Sequence, residues 1–295
     1  MNQDTQQLSR RGCIAALAGA PLLVGAETKI MVAGHPWVYA ARRPKNDIYE
    51  LLDQIFADMG AAGLDAIELM HTALAPDDAV AHIRELSKRH GLPVIGTSFS
   101  ANMWDRKQHE AILEQARLVI ERVSAVGGRT LGTTTGNAGQ RKTEEQLDAQ
   151  AELLRKILAI CKDHGVVLNL HNHTWEVADS EYDLKGTLAR VPEARLGPDI
   201  NWLIRAGVDP VEFIARYGTR IVYAHLRDQK ADGKWCEAMG EGTTDYAAIA
   251  AAFRKVRFHG DLAIELAHER DFQPTRPYGE SFAMSRKYVR RVMGW

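Results

Sequence analysis

The sequence predicts a single-domain (β/α)8 TIM barrel. Three observations carry this prediction. From residue 29 onward, eight short β-branched or apolar runs alternate with longer amphipathic stretches. The runs begin roughly every 25–40 residues, which is the spacing of βα units in such a barrel. Ionisable residues collect at the C-terminal ends of the runs, where barrels of this class keep their chemistry. An open doubly wound sheet would instead carry a glycine-rich phosphate loop after its first strand, and Gly34-His35-Pro36-Trp37 is not one.

Taken in order, the first strand is predicted at Lys29–Gly34 and leads into His35. Asp47–Met59 is predicted helical because Ile48, Leu51, Leu52, Ile55 and Phe56 share one face. Ala66–Met70 is the second strand, and a helix over Asp77–His90 follows Pro76. Pro93–Phe99 and Thr130–Thr135 are the next strands, separated by a helix over Lys107–Val126. The helix at Thr143–His164 opens with Thr143 and Gln146, which have the spacing of a capping box. Strands at Val166–His171, Arg195–Ile200, Ile221–His225 and Leu262–Leu266 complete the set, interleaved with helices at Tyr182–Arg190, Pro210–Tyr217, Tyr246–Val256 and Phe282–Val292. Gly91, Gly127, Gly165, Gly218 and Gly260 follow helices where a left-handed terminal residue is favoured. The Gly240–Gly242 loop reads as a structural turn before a helix entered at Asp245. No linker-like stretch divides residues 27–295.

Composition narrows the function classes. The chain has 295 residues, is 45% hydrophobic and 25% charged, and carries a net charge of −1. These values exclude a disordered chain and lack the basic footprint of a nucleic-acid binder. Residues 1–26 have the layout of a signal peptide. Ser9-Arg10-Arg11 resembles a twin-arginine motif, and the mildly apolar run Gly12–Ala26 is too short to span a membrane. The expectation is a periplasmic protein with no membrane span, a cytoplasmic one being the alternative. Of Cys13, Cys161 and Cys236, none shows metal-finger spacing, and Cys161 falls on an apolar helix face.

The strand ends supply the chemistry. His35 closes the first strand, Glu68 lies in the second, and His171-Asn172-His173 closes the fifth, with Glu176 just beyond. Asp199, His225 and Glu265 mark the last three strands, and Arg227-Asp228 follow His225. Any one of these can simply cap a loop or pair with an arginine. Together, His171, Asp199, His225 and Glu265 come from four consecutive strands and would point inward. Buried imidazoles and carboxylates converging in this way are costly unless paired or coordinating a cation. Two of each suit one divalent metal ion such as Mn, Co, Zn or Fe better than Mg. Trp175 and Trp202, beside these residues, suit stacking on a sugar ring.

Several segments together resemble the sugar phosphate isomerase/epimerase superfamily, the xylose isomerase-like TIM barrels. They are Ala66-Ile67-Glu68-Leu69, Leu170-His171-Asn172-His173-Thr174-Trp175-Glu176, Asp199-Ile200-Asn201-Trp202, Ala224-His225-Leu226-Arg227-Asp228 and Ala263-Ile264-Glu265. The resemblance implies a divalent metal held by Glu, Asp, His and Glu from strands 5 to 8. Asp199, His225 and Glu265 match the last three positions. The first departs: His171 stands in the glutamate's place, with Asn169 as the alternative alignment.

By the same resemblance, the substrate is a small-molecule carbohydrate and the chemistry is proton removal next to a sugar carbonyl or hydroxyl. Glu265, His173 and Glu176 are the catalytic candidates. Glu68, His35, Trp175, Trp202, Arg227 and Asp228 are the substrate-binding candidates, and a homo-oligomer is expected. Without a strand 5 glutamate, chemistry on one face of the substrate gains weight. The alternatives are a periplasmic 3-keto-glycoside lyase or hydratase of the same superfamily, and a non-catalytic sugar-binding barrel. The abasic-site endonucleases of the superfamily are excluded by the neutral charge and by the small ligand set.

Overall fold

The computed structural model of the protein describes residues 29–295, so the signal-peptide reading of residues 1–26 lies outside the described residues. Eight strands run parallel: β1 (Val32–His35), β2 (Ala66–Met70), β3 (Val94–Ser100), β4 (Thr130–Thr134), β5 (Val167–Leu170), β6 (Arg195–Leu196), β7 (Tyr223–Leu226) and β8 (Asp261–Glu265). Their order is β6-β5-β4-β3-β2-β1-β8-β7, and single bridges Leu196↔Ile221 and Asp199↔His225 close the ring between β6 and β7. This is the predicted TIM barrel in one domain. The surrounding helices are α1 (Trp37–Ala40), α2 (Leu52–Ala61), α3 (Ala79–His90), α4 (His109–Ala125), α5 (Glu144–Asp163), α6 (Thr174–Arg190), α7 (Ile200–Arg205), α8 (Pro210–Tyr217), α9 (Tyr246–Lys255) and α10 (Tyr278–Met293).

The main core lies between strands and helices and is filled by the predicted faces, including Ile48, Leu52, Ile55 and Phe56. Inside the ring a smaller core packs Tyr223 against Ala33, Ala66, Ile95 and Ala263. Three alanines from neighbouring strands leave space for one tyrosine, so the lower barrel is plugged and chemistry is confined to the upper end. The capping box forms as predicted: the Gln146 amide N–H donates to Thr143 Oγ1 at 3.2 Å, and the Thr143 amide donates to Gln146 Oε1 at 2.9 Å. Cys161 and Cys236 are buried free thiols. Among the described residues no helix is long and apolar enough to cross a membrane.

The departures from the sequence reading have physical causes. The sixth strand stops at Leu196 instead of reaching Ile200, because Asp199 turns the chain into α7. Its carboxylate accepts the amide N–H groups of Asn201 at 2.9 Å and Trp202 at 3.1 Å. The helix expected from Tyr182 begins at Thr174 and is interrupted where Asp179, Ser180 and Glu181 take φ of 49°, 57° and 65°. Each left-handed residue costs roughly 1–2 kcal/mol. Glu181 anchors the break by accepting Arg216 Nη1 at 2.6 Å and the Tyr217 hydroxyl at 2.7 Å. Gly91 is left-handed as predicted, at φ 62°, whereas Gly218 and Gly260 have no positive φ. They are glycines because a Cβ would lie 2.5 Å from Val256 Cβ and 2.1 Å from the Val222 carbonyl oxygen, respectively.

Candidate active site at the barrel mouth

Four of the predicted residues converge. His171 follows β5, Asp199 follows β6, His225 lies in β7 and Glu265 ends β8. One donor atom from each lies within 4.8 Å of the other three, and all four side chains are buried. The bridge between Asp199 and His225 sets two of them side by side. Asn169, the alternative on the fifth strand, is not in this group. Its Nδ2 donates to Thr130 Oγ1 at 2.7 Å, deeper in the ring. The residue two positions on is the one that reaches the mouth.

The polar contacts separate these donors from their supports. His225 Nε2 lies 2.6 Å from Glu68 Oε2. Its Nδ1 lies 3.0 Å from Glu265 Oε2, within ion-pair distance but out of line for a regular hydrogen bond. His171 Nδ1 is buried without a partner. The Arg227 guanidinium pairs with Asp199 and, at 2.9 Å, with Glu265 Oε1. Glu68, Asp199 and Glu265 bring three buried carboxyl groups to the site, facing the Arg227 guanidinium and the His225 ring. The acidic excess of this set suits a bound cation. The orphaned imidazole nitrogens and the mixed N/O donor set both fit such an ion.

Burial pulls the ring of His225 down, but the Glu68 and Glu265 carboxylates prevail and raise it to about 10. Burial also acts on Glu265, pushing it up, yet Arg227 and the neighbouring imidazoles hold it well below the usual carboxylate range. Burial, reinforced by His225, depresses His171, and burial brings His173 down to about 4, so both are neutral bases at pH 7.

Above the cluster is a cavity of about 670 Å³. Of the predicted substrate contacts, His35, Trp202 and Arg227 line it, as do the catalytic candidates His173 and Glu265. Trp37 and Trp235 add aromatic wall. Other predicted contacts are elsewhere. Glu68 lies beneath His225 and does not reach the cavity wall. Asp228 is buried and turned away: its carboxylate accepts amide N–H groups from Gly240 at 2.9 Å and Gly242 at 3.0 Å, which makes it a clamp for that loop. Trp175 stacks on His173 at 4.4 Å between centroids and faces solvent beside the mouth. Glu176 points behind α6, where Oε2 accepts the His173 amide N–H at 2.8 Å. As the first turn of a helix, residues 174–177 carry Trp175 and Glu176 out of line with the strand end.

Two groups escaped the sequence reading. His268 lines the cavity with Nε2 buried and unpartnered. Its place three residues after Glu265, in a βα loop, was a usable signal. Lys142 is buried between α5 and α6, 2.6 Å from Asp183 Oδ2 and 2.7 Å from Gln150 Oε1. A lysine before a helix reads as solvent-exposed, and nothing local marks it otherwise.

Fold and site together define a (β/α)8 barrel with a buried cluster of cation donors at its catalytic end. The chain belongs to the xylose isomerase-like TIM barrel family, whose model matches residues 56–288. It is 26% identical over 174 residues to an inosose dehydratase from Geobacillus kaustophilus (strain HTA426); the match covers 52% of this chain and 55% of that protein, about half of each. The D-allulose 3-epimerase of Methylomonas sp. is similar in structure, with a TM-score of 0.73 at 16% identity, over 90% of this chain and 98% of that one. A 3-keto-D-glucoside 4-epimerase from E. coli superposes with a TM-score of 0.66 at 16% identity, over 88% and 100% of the two chains. At these identities the structural likenesses establish the fold.

Proposed function

We propose that the protein is a divalent-metal-dependent enzyme that removes a proton from carbon next to a sugar carbonyl or hydroxyl. The observation that carries this reading is the convergence of His171, Asp199, His225 and Glu265 on one point at the floor of the cavity. A divalent ion held there supplies Lewis acidity to neighbouring oxygens and stabilises the negative charge that develops on them. The chain supplies the rest. Glu265 is an ionised carboxylate at the cavity floor, oriented by Arg227. Trp37, Trp202 and Trp235 exclude water and offer faces to a sugar's C–H groups. His173 is a neutral base within the cavity wall, able to take or pass a proton. The other carboxyl group in the wall, Glu269, is occupied with Arg205 at 3.2 Å. A single carboxylate at the cavity floor suits proton transfer on one face of the substrate, as in aldose–ketose isomerisation.

A lyase or hydratase acting on a 3-keto-glycoside is the second reading. It is favoured by the relative named a dehydratase and by the same single carboxylate. Export by a twin-arginine-type leader and a periplasmic location belong to the proposal in either case.

The test is metal content of the purified protein beside His171→Ala and Glu265→Ala, followed by incubation with ketoses and keto-glycosides in D₂O. About one divalent ion per chain, lost in both variants, with deuterium entering the substrate, is the expected result. Release of an aglycone selects the lyase. A wild-type protein that takes up none of Mn, Co, Ni or Zn refutes the metal mechanism. Sugar binding without exchange would then make it a binding barrel.

A further inference from the structure

We infer that Glu68 is a positioning residue for the metal, acting through His225; this rests on the metal-dependent reading above. The two residues are 157 positions apart in sequence, on β2 and β7. Glu68 is fully buried and His225 nearly so, and the 2.6 Å contact is between Glu68 Oε2 and His225 Nε2. The buried Tyr223 hydroxyl also faces the Glu68 carboxylate. The second oxygen of Glu68, Oε1, makes no aligned hydrogen bond and packs over Gly132, where a Cβ would lie 3.5 Å away.

An imidazole has two nitrogens, and a carboxylate that accepts from one fixes the proton there. With Nε2–H donated to Glu68, Nδ1 is the nitrogen left to offer a lone pair to a cation. That atom lies on the Glu265 side, 3.0 Å from Glu265 Oε2. The carboxylate therefore does three things. It selects the tautomer, it locks the ring plane, and it makes Nδ1 more basic toward a cation. Carboxylates in this relation to a ligating histidine are worth 10–100-fold in metal affinity. Glu68 contributes no donor atom to the cluster of four, and His225 separates it from the cavity. It is not placed to touch substrate.

The experiment measures dissociation constants for Mn²⁺ and Co²⁺ by chelator competition in the full-length wild type, Glu68→Gln, His225→Ala and the double variant. The Nε2/Nδ1 protonation of His225 is also read by ¹⁵N NMR of the wild type loaded with Zn²⁺. Expected are an affinity about 10–100-fold weaker in Glu68→Gln, an altered Co²⁺ absorption spectrum, and no further loss on adding Glu68→Gln to His225→Ala. The NMR experiment is expected to show the proton on Nε2. Three results overturn the inference while leaving the metal site standing. They are affinity unchanged within about threefold in Glu68→Gln, an equal loss in the His225→Ala background, or a proton on Nδ1. The NMR measurement decides the matter even where the variant does not fold. A wild type that binds no cation overturns the functional reading as well.

Discussion

Replacing Glu176 by glutamine is expected to stabilise the protein by about 2 kcal/mol at pH 8 and to destabilise it by about 1 kcal/mol near pH 4.5. Glu176 is buried, its Oε1 has no partner, and its one hydrogen bond is from the His173 amide. Burial raises its carboxyl from the ordinary value of 4.5 to about 7, against the His173 N–H, which favours the charged form. Below pH 4.5 the acid is protonated in both native and unfolded chains. Between pH 4.5 and 7 the unfolded chain loses the proton first. The native state then binds more protons, so stability falls with rising pH by about 1.4 kcal/mol per unit. Above pH 7 the loss levels off at about 3 kcal/mol. Glutamine keeps an oxygen for the His173 amide and does not titrate, although its buried NH₂ group costs about 1 kcal/mol. The net gain at pH 8 is about 2 kcal/mol. Urea unfolding of both proteins in excess EDTA, at pH 4.5, 6, 7 and 8, gives the difference with metal linkage removed. A stability gap that does not change with pH, or one that favours the parent at pH 8, refutes the argument.

Asp228→Ala removes the acceptor for the Gln229, Gly240, Gly242 and Thr244 amides. It should cost about 3 kcal/mol, read as a drop of roughly 10 °C in Tm, with Asp228→Asn intermediate. Lys142→Met leaves Asp183 buried and unpaired and is expected to cost about 3–5 kcal/mol in denaturant melts, partly recovered by adding Asp183→Asn. Gly260→Ala forces a Cβ against the Val222 carbonyl and should cost at least about 2 kcal/mol. Gly91→Ala meets no atom within 4 Å and should cost only the left-handed penalty of about 1 kcal/mol, so equal losses in the two variants would contradict the distinction drawn between them.

Most of the barrel is legible because its signals are local. The Ala66–Met70 strand has the same bounds in sequence and structure, and the Thr143 capping box needs only four residues to specify it. The donor cluster is legible for a different reason: in a barrel, topology turns strand order into spatial order, so residues at successive strand ends must meet. That logic places His171, Asp199, His225 and Glu265 together, but it does not tell a cavity wall from the layer behind it. Glu68 and Glu265 are both carboxyl groups preceded by apolar strand residues. Only the register, which puts Glu68 below His225 and Glu265 beside His35, assigns one to support and the other to the floor. Asp199 hides the end of its own strand, since the side chain that meets the cluster also caps the next helix. The left-handed break at 179–181 has no glycine to announce it and depends on Arg216 and Tyr217, two elements further on.

His171 and Arg227 are linked by charge. A glutamate at position 171, as in the ligand set that the family resemblance implies, would bring a fourth buried carboxyl group to a site whose buried positive groups are Arg227 and the His225 ring. It would add one more negative charge to a buried site that already holds three carboxyl groups, and uncompensated buried charge is among the most destabilising features a core can hold. An imidazole there offers a donor atom without adding charge. Arg227 stays wedged between Asp199 and Glu265, orienting both and holding Glu265 ionised. The same exchange removes a carboxylate from the fifth-strand side and leaves Glu265 as the carboxylate of the cavity floor. Lower buried charge and the proposed chemistry on one face of the substrate thus trace to a single residue.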